Sequence, residues 1–286
     1  MSPARTLVLT ALAMAAFAGN SLLCRLALRQ TGIDAATFTA IRLVSGTVVL
    51  WLIARRFRGT QAGGGNWLSA WALFAYAACF SFAYVSLPTG TGALLLFGAV
   101  QATMIGYGLW SGERLRLAQL AGLALAFCGL AGLLLPGVSA PPLGGSVLML
   151  VAGMSWGIYS LRGKGAGDPT RVTAGNFLRA APLAIALSLS MLLFKGAALD
   201  AAGLWLALAS GALTSGIGYA IWYTALPALK ATSAASVQLS VPVIAALGGI
   251  AFLGEPVTLR LVLASAAILG GIALVVLQKR AAPGRP

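Results

Sequence analysis

The longest stretches without charge constrain most strongly what this chain can form. No Asp, Glu, Lys or Arg occurs from Asn66 to Gly112, or from Leu117 to Leu161. About 20 apolar residues cross the hydrocarbon core of a bilayer, so each stretch is long enough for two crossings. Turn-forming residues interrupt both stretches, at residues 86–90 and at residues 136–142. The pattern predicts an all-α, polytopic membrane protein in which apolar helices alternate with short turns.

Hydrophobic stretches along the whole chain predict ten transmembrane helices. Only 8% of the residues are charged, whereas about a quarter are charged in soluble domains. The predicted spans cover residues 6–25, 33–54, 66–86, 90–111, 116–136, 143–162, 172–194, 201–224, 231–253 and 258–278. The first span also resembles a signal peptide, with Ala-Phe-Ala as a cleavage site. We expect the first span to be retained, because the second half of the chain contains a counterpart to it.

Two segments about half a chain apart resemble each other. Residues 84–88 and 223–227 both read Tyr-x-x-x-Pro, and each is followed by an apolar span that ends in Gly-Glu, at Glu113 and Glu255. Because a repeat of five spans is odd, its second copy enters the membrane upside down. This arrangement predicts an inverted repeat with a substrate site near the midplane. The two five-helix repeats cover residues 1–138 and 139–286.

The distribution of positive charge predicts the orientation of the helices. If the N-terminus is cytoplasmic, most Lys and Arg residues fall in cytoplasmic loops, as is typical of bacterial inner-membrane proteins. Both termini are therefore predicted to be cytoplasmic. The net charge of +14 then reflects topology and contact with anionic lipid headgroups. We do not expect a nucleic-acid partner, because the charges are dispersed over several loops without interleaved aromatic residues.

Enzyme chemistry has no obvious agent in this sequence. The chain has no histidine, and the predicted spans contain no Asp or Glu other than Asp34, the second residue of span two. The interior of the membrane therefore has no general acid or base. The three cysteines have no metal-ligand spacing, so we expect neither a metal nor a cofactor. Glu113 and Glu255 each follow a glycine at a span end, where water and a helix N-terminus can solvate the carboxylate. We therefore expect no obligatory proton carrier, and cationic drugs are disfavoured as main substrates.

Two arginines fall inside predicted spans. Arg42 follows Thr-Ala-Ile in span two, and Arg179 follows Asn-Phe-Leu in span seven, which suggests matching places in the two repeats. Both side chains could reach carbonyls at the helix ends and hold the repeats together. Alternatively, they could supply positive potential along the path of a carboxylate. Their distance from the midplane favours the structural interpretation.

Aromatic and amide side chains predict an uncharged substrate cavity. An amide such as that of Gln101 or Gln238 is costly to bury unpaired, and Pro242 should break its helix and free a backbone carbonyl near Gln238. Such a cavity suits a zwitterion, because amides and carbonyls can bind its ammonium and aromatic walls can hold its side chain. The predicted substrate-binding residues are Asn20, Ser21, Tyr76, Phe80, Phe97, Gln101, Trp156, Tyr159, Tyr219, Trp222, Tyr223, Gln238 and Pro242. The glycines predicted to allow close helix packing are Gly122, Gly129, Gly132, Gly270 and Gly271.

In their order and repetition, these features resemble the EamA-type, ten-helix branch of the drug/metabolite transporter superfamily. The resemblance covers essentially the whole chain, and it rests on the repeated spans, Arg42, Pro242 and the two Gly-Glu pairs. Residues 154–160, Met-Ser-Trp-Gly-Ile-Tyr-Ser, are similar to the span-six element of an aromatic amino-acid exporter in this branch. The chain departs from the pattern at Gln101, where a proline is usual, and at Phe17, where a tryptophan is usual.

The resemblance implies a secondary transporter that works by alternating access. We expect uniport-like export or exchange of neutral amino acids, including aromatic ones; a broader metabolite or drug exporter is the alternative. The expected partners are the small-molecule substrate and membrane lipids, and the protein is expected to be a monomer. The hairpins after spans three and eight are the expected gates, with Pro88 and Gly90 at the outer corner and Pro227 and Lys230 at the inner one.

Overall fold

The described part of the chain is a bundle of helices. A computed structural model describes residues 1–56, 64–112, 115–137, 140–163, 168–196, 198–229 and 237–278, and these ranges contain no β-strand. The helices are α1 (Pro3–Gln30), α2 (Ala35–Arg56), α3 (Trp67–Tyr84), α4 (Thr89–Trp110), α5 (Leu117–Leu134), α6 (Leu143–Arg162), α7 (Pro169–Lys195), α8 (Ala201–Ala228), α9 (Ser240–Leu253) and α10 (Leu259–Gln278). The predicted all-α class is confirmed.

Each predicted span corresponds to one helix. Within the described ranges nine helices are long and apolar enough to cross a bilayer, and α9 is a shorter apolar helix. The predicted start of span nine lies outside the described residues, as do Lys230 and Glu113. Pro242 lies in the first turn of α9, and a turn at Leu239 separates this helix from the helical residues 237 and 238. This interruption fits the helix break expected near Pro242, because proline cannot donate a backbone hydrogen bond.

Helix packing follows the inverted repeat. Three helices of the first repeat contact the equivalent helix of the second repeat. These contacts are α2 with α7, α4 with α9 and α5 with α10. The remaining main contacts occur in matched pairs: α3–α6 with α8–α1, α4–α6 with α9–α1, and α3–α7 with α8–α2. A pseudo-two-fold axis in the membrane plane produces this set of contacts when it exchanges the two halves.

Acidic side chains cap two helices at the same end of the bundle. Asp34 accepts hydrogen bonds from the backbone N–H groups of Ala36 and Thr37, both at 2.9 Å, and Asp200 accepts one from Gly203 at 2.9 Å. A hydrogen bond from the backbone of Gly32 is the largest cause that holds the pKa of Asp200 below its ordinary value. These caps satisfy N–H groups that would otherwise be unpaired at the helix starts.

Close glycine contacts join α5 to α10. A Cβ atom at Gly122 would lie 2.6 Å from the carbonyl oxygen of Gly271, and one at Gly129 would lie 2.7 Å from the Ala267 side chain. The packing role predicted for Gly122, Gly129 and Gly271 is therefore confirmed. The same prediction is wrong for Gly132 and Gly270, because a Cβ at either position meets no described atom within 4 Å.

Helix α8 contains a π-helical segment that the sequence analysis did not predict. Residues Ser210–Ile217 form the π segment between the α-helical residues Ala201–Ala209 and Gly218–Ala225. Glycines in this segment allow a close approach to α2: a Cβ at Gly216 would lie 2.9 Å from Val49, and one at Gly211 would collide with the backbone of Arg42. Irregular helical turns of this kind are frequent at functional sites.

Arg25 lies near one end of the bundle and Arg162 near the other, and these residues give the two ends their names. At the Arg25 end, α1, α3, α5, α7 and α9 finish and the even-numbered helices α2 to α10 begin. The opposite, Arg162 end holds the start of α1 and the end of α6. The distribution of Lys and Arg predicts that the Arg25 end faces the outside of the cell.

Candidate substrate cavity

A cavity lies between helices of both repeats. It is lined by Phe17, Asn20, Ser21, Tyr76, Phe80, Leu96, Phe97, Trp156, Thr214, Tyr219 and Gln238, none of which is charged. Tyr76 and Phe97 lie near the middle of α3 and α4, so the cavity is at mid-depth in the bundle. The space is narrow in this conformation, with room for about one or two water molecules. A substrate of amino-acid size therefore requires the walls to move apart.

Aromatic rings from several helices meet at Trp156. Its ring centroid lies 4.9 Å from that of Tyr76, 5.2 Å from that of Tyr219 and 5.4 Å from that of Tyr159. The rings are tilted, an arrangement favoured by aromatic quadrupoles. Phe17 extends the cluster, because its ring lies 5.7 Å from Tyr219 in an edge-on contact. Trp156 thus links α3, α6 and α8 at the wall of the cavity.

A chain of neutral polar groups runs along the same wall. The hydroxyl oxygen of Tyr76 accepts a hydrogen bond from Nδ2 of Asn20 at 3.4 Å. Oδ1 of Asn20 accepts hydrogen bonds from the hydroxyls of Ser210 at 2.7 Å and Thr214 at 3.2 Å. Both hydroxyls belong to the π segment of α8, so this segment supplies polar groups to the cavity. Hydrogen bonds of this kind hold Asn20 in place within the apolar bundle.

Arg42 lies behind this wall and is almost completely buried, with 1% of its surface exposed. Its Nη2 donates to the Tyr76 hydroxyl at 3.1 Å, and its Nε donates to the Ser215 hydroxyl at 3.2 Å. The guanidinium carbon lies 5.2 Å from the ring centroid of Tyr76 and 4.9 Å from that of Phe80. The expectation that Arg42 reaches carbonyls at a helix end is therefore wrong, because its side chain turns inward toward two cavity-lining rings.

Arg179 occupies a different environment. It is partly exposed at the Arg162 end, and it donates to the backbone carbonyls of Gly64 and, at 2.9 Å, Gly175. The suggested match to Arg42 is wrong in structural terms. Arg42 follows the capping residue Asp34 by eight residues, and the residue that follows Asp168 by eight is Asn176. Both residues are arginines, but they lie at different distances from the start of their helices.

At the Arg25 end, a buried ion pair ties three parts of the chain together. Nε of Arg25 lies 3.4 Å from Oε1 of Glu255, and Nη1 of Arg25 donates to the carbonyls of Tyr84 at 2.8 Å and Val85 at 2.9 Å. Oε2 of Glu255 accepts the backbone N–H of Thr89 at 2.7 Å. These five residues, called the Arg25 knot below, join α1, the α3–α4 corner and the α9–α10 corner.

The knot corrects the expected surroundings of Glu255. The sequence predicted a carboxylate at a span end, solvated by water and by a helix N-terminus; the water is wrong, because only 9% of Glu255 is exposed. Its solvation comes from the Arg25 guanidinium and from the N-terminus of α4, an end that favours negative charge. Glu255 is therefore a contact between the two repeats.

The structure brings together eight of the thirteen predicted substrate-binding residues. Those that line the cavity are Asn20, Ser21, Tyr76, Phe80, Phe97, Trp156, Tyr219 and Gln238. The other five lie near it: Tyr159 packs on Trp156, and Trp222 packs on Phe17 at 6.0 Å. Gln101 lies one helical turn beyond Phe97, and Tyr223 lies one turn beyond Tyr219. Pro242 lies four residues beyond Gln238, after the turn at Leu239.

Three lining residues were missed from the sequence. Phe17 and Leu96 are apolar residues in apolar helices, and hydrophobicity alone does not distinguish them from lipid-facing positions, although Phe17 stands where the family pattern usually has a tryptophan. Thr214 carried a usable signal, because Ser210 and Thr214 are hydroxyl residues in a glycine-rich part of span eight. Polar residues within a span face the protein interior more often than lipid.

Comparisons with known proteins agree with this architecture. A model of the EamA-like transporter family matches residues 143–277, which are the second repeat without its ends. The uncharacterized protein PA1977 of Pseudomonas aeruginosa is 60% identical over 278 residues, which cover 96% of each chain. This chain belongs to the EamA-like transporter family. The expected resemblance to the EamA-type branch is confirmed, and the family consists of transporters and not of enzymes.

Other similarities extend over most of the EamA-family chain. The threonine/homoserine exporter RhtA of Escherichia coli K12 is 29% identical over 290 residues, which cover 92% of this chain and 88% of RhtA. An uncharacterized transporter of Archaeoglobus fulgidus is 26% identical over 254 residues, covering 85% and 87% of the two chains. A crystal structure with 21% identity matches with a TM-score of 0.68 over 98% of this chain and 99% of that one, which shows a shared fold.

Proposed function

We propose that this EamA-family protein exports neutral amino acids, aromatic ones among them, across a bacterial inner membrane. The observation that carries the proposal is the cavity at mid-depth, whose lining is aromatic, polar and uncharged. RhtA, which is named for threonine and homoserine export, supports amino acids as the substrate class. The similarity of residues 154–160 to the span-six element of the aromatic amino-acid exporter YddG supports aromatic side chains among them.

The residues of the cavity suit the parts of an amino acid. The rings of Phe17, Phe80, Trp156 and Tyr219 can enclose an apolar or aromatic side chain. The Gln238 amide and the Thr214 hydroxyl can accept hydrogen bonds from an ammonium group. Among the described residues, the lining contains no acid that could carry a proton through the cavity, so uniport-like export or exchange is the expected mode of transport.

In an alternating-access mechanism, the Arg25 knot would close one end of the substrate path. If the Arg25 end faces outward, the present conformation is closed to the outside, and export requires the knot to open. Reporter fusions after residues 31, 61, 87 and 113 test the orientation. A reporter should lie outside, inside, outside and inside in that order, and a reporter at the C-terminus should be cytoplasmic. An external C-terminus would overturn the proposed direction of the helices.

Counterflow in proteoliposomes tests the proposed substrate class. Labelled L-phenylalanine and L-threonine should accumulate in liposomes preloaded with unlabelled amino acid, and a proton ionophore should not abolish the accumulation. A nucleoside, a sugar and a cationic dye serve as comparison substrates, with protein-free liposomes as the background. Transport of the dye or the nucleoside in preference to both amino acids would favour the alternative, a broader metabolite or drug exporter. The apolar rings Phe17, Phe80 and Phe97 in the cavity are compatible with that alternative.

A further inference from the structure

Arg42 differs from the other buried arginine in how its charge is compensated. The guanidinium of Arg25 contacts one carboxylate and two backbone carbonyls. Arg42 contacts two neutral hydroxyls, those of Tyr76 and Ser215. Its Nη1 is buried and has no hydrogen-bond partner among the described residues. A buried charge normally finds a partner, because removal from water is costly otherwise.

The carboxylates that the structure describes are occupied elsewhere. Asp34 and Asp200 cap α2 and α8, Asp168 caps α7 and pairs with Arg171, and Glu255 pairs with Arg25. The fifth acid, Glu113, lies outside the described residues. Arg42 lies in the half of α2 nearer the Arg25 end. Among the described side chains, therefore, none neutralises Arg42.

The position of Arg42 relates this charge to the cavity. Its guanidinium rests on the rings of Tyr76 and Phe80, and both rings line the cavity. The positive charge is thus one aromatic ring away from a space whose other lining groups are neutral. Charges in such a low-dielectric environment act more strongly than in water. The field of Arg42 favours an anionic group in the cavity and opposes a cation.

We propose that Arg42 is the residue that selects for a carboxylate in the substrate. This inference rests on the proposed function and names the group that the transport site recognises. A carboxylate that enters between Tyr76 and Phe80, as the cavity widens, supplies the hydrogen-bond acceptor that Nη1 lacks. The ammonium group then lies toward the neutral side of the cavity, at Gln238 and Thr214. Arg179 has no part in recognition, because its guanidinium is satisfied by carbonyls away from the cavity.

The test compares L-phenylalanine with L-phenylalaninamide, which keeps the ring and the ammonium but replaces the carboxylate with a neutral amide. Each competes against labelled L-phenylalanine in counterflow by the intact protein. Wild type should prefer the acid about 10- to 100-fold, the usual range for a charged hydrogen bond. Arg42→Gln should reduce the preference to within about threefold, and Arg42→Lys should retain part of it. Arg179→Gln, the matched control, should leave the preference unchanged.

In the counterflow test, two results would overturn the inference. One is a wild-type protein that accepts the amide as readily as the acid, a measurement that needs no variant to fold. The other is a folded Arg42→Gln protein that keeps the wild-type preference. If wild type transports no amino acid, the proposed function fails, and thermal stabilisation by 3-phenylpropionate against 3-phenylpropionamide takes over as the test. Stabilisation by the acid alone, lost in Arg42→Gln, supports carboxylate selection without amino-acid export; equal or no stabilisation overturns it.

Discussion

Replacement of Glu255 by glutamine should open the Arg25 end of the protein. The change keeps the shape of the side chain but removes its charge. The new amide oxygen can still accept the N–H of Thr89, now 2.7 Å from Oε2. The amide NH₂ then faces Nε of Arg25, which lies 3.4 Å from Oε1 in the wild type. In the variant, the N–H donor of Arg25 faces another N–H donor in place of the carboxylate oxygen that accepts its hydrogen bond in the wild type.

The free-energy cost of Glu255→Gln follows from the burial of the Arg25–Glu255 ion pair. Only 5% of the Arg25 side chain and 8% of the Glu255 side chain are exposed, so solvent screens the interaction little. Loss of one partner from a buried pair costs about 3–5 kcal/mol. The two carbonyls that Arg25 retains, those of Tyr84 and Val85, reduce this cost, so we expect about 2–4 kcal/mol. The cost falls on the closed conformer alone, because only there do the three corners meet, and about 2 kcal/mol shifts the population roughly 30-fold.

Cys24 reports on this shift. It precedes Arg25 in α1 and is 0% exposed, so a maleimide should reach it only when the knot opens. The variant is made in a Cys79→Ser, Cys128→Ser background, and labelling is followed in detergent so that orientation in a membrane does not matter. Glu255→Gln should raise the labelling rate at least about tenfold. Asp168→Asn is the matched control, since it removes a partly exposed ion pair at the opposite end. Wild-type labelling of folded Glu255→Gln, or an equal increase in the control, would refute the reasoning.

Three further predictions concern the cavity, the helix packing and a cap. Trp156→Ala should weaken the apparent affinity for L-phenylalanine about 5- to 30-fold in counterflow through loss of aromatic contact, whereas Trp71→Ala, at an exposed position, should not. Gly122→Ala should destabilise the protein by about 1–3 kcal/mol through overpacking and so lower its melting temperature, whereas Gly132→Ala should not lower it. Asp200→Asn should destabilise the protein at pH 7. The pKa of Asp200 is lowered in the fold, so its contribution is present above about pH 4 and is lost as the pH falls further; the two melting temperatures should then converge. A constant difference in melting temperature down to pH 3 would contradict the assigned cap.

The positions of the helices could be predicted from the sequence because they depend on local composition. Uncharged stretches place the spans, and Pro242 marks an interruption that the structure has at Leu239. The inverted repeat was also predictable, because an odd number of spans determines the orientation of the second copy. Eight cavity residues were identified because aromatic and amide side chains are unusual within a span.

The pairings between distant residues could not be predicted. Arg25 and Glu255 are separated by most of the chain, and no local pattern indicates that they meet. Arg42 and Arg179 were predicted to be equivalent because each follows one polar and two apolar residues, yet their different distances from the helix caps place them in different surroundings. Phe17 and Leu96 were missed for a related reason: an apolar side chain in a membrane helix can face lipid or protein, and only packing distinguishes the two.

The π segment of α8 has a consequence for the reading of span eight on a helical wheel. Thr214 and Tyr219 both line the cavity, although they are five residues apart. In a regular α-helix each residue turns by about 100°, so these two side chains would diverge by about 140°. The wider turns of Ser210–Ile217 bring them to one face. A deletion of one residue between Thr214 and Tyr219 would leave them four residues apart, and a regular α-helix would then keep both on the cavity face, about 40° apart. With the present spacing, a helical wheel that assumes a regular helix assigns Tyr219 to the lipid face.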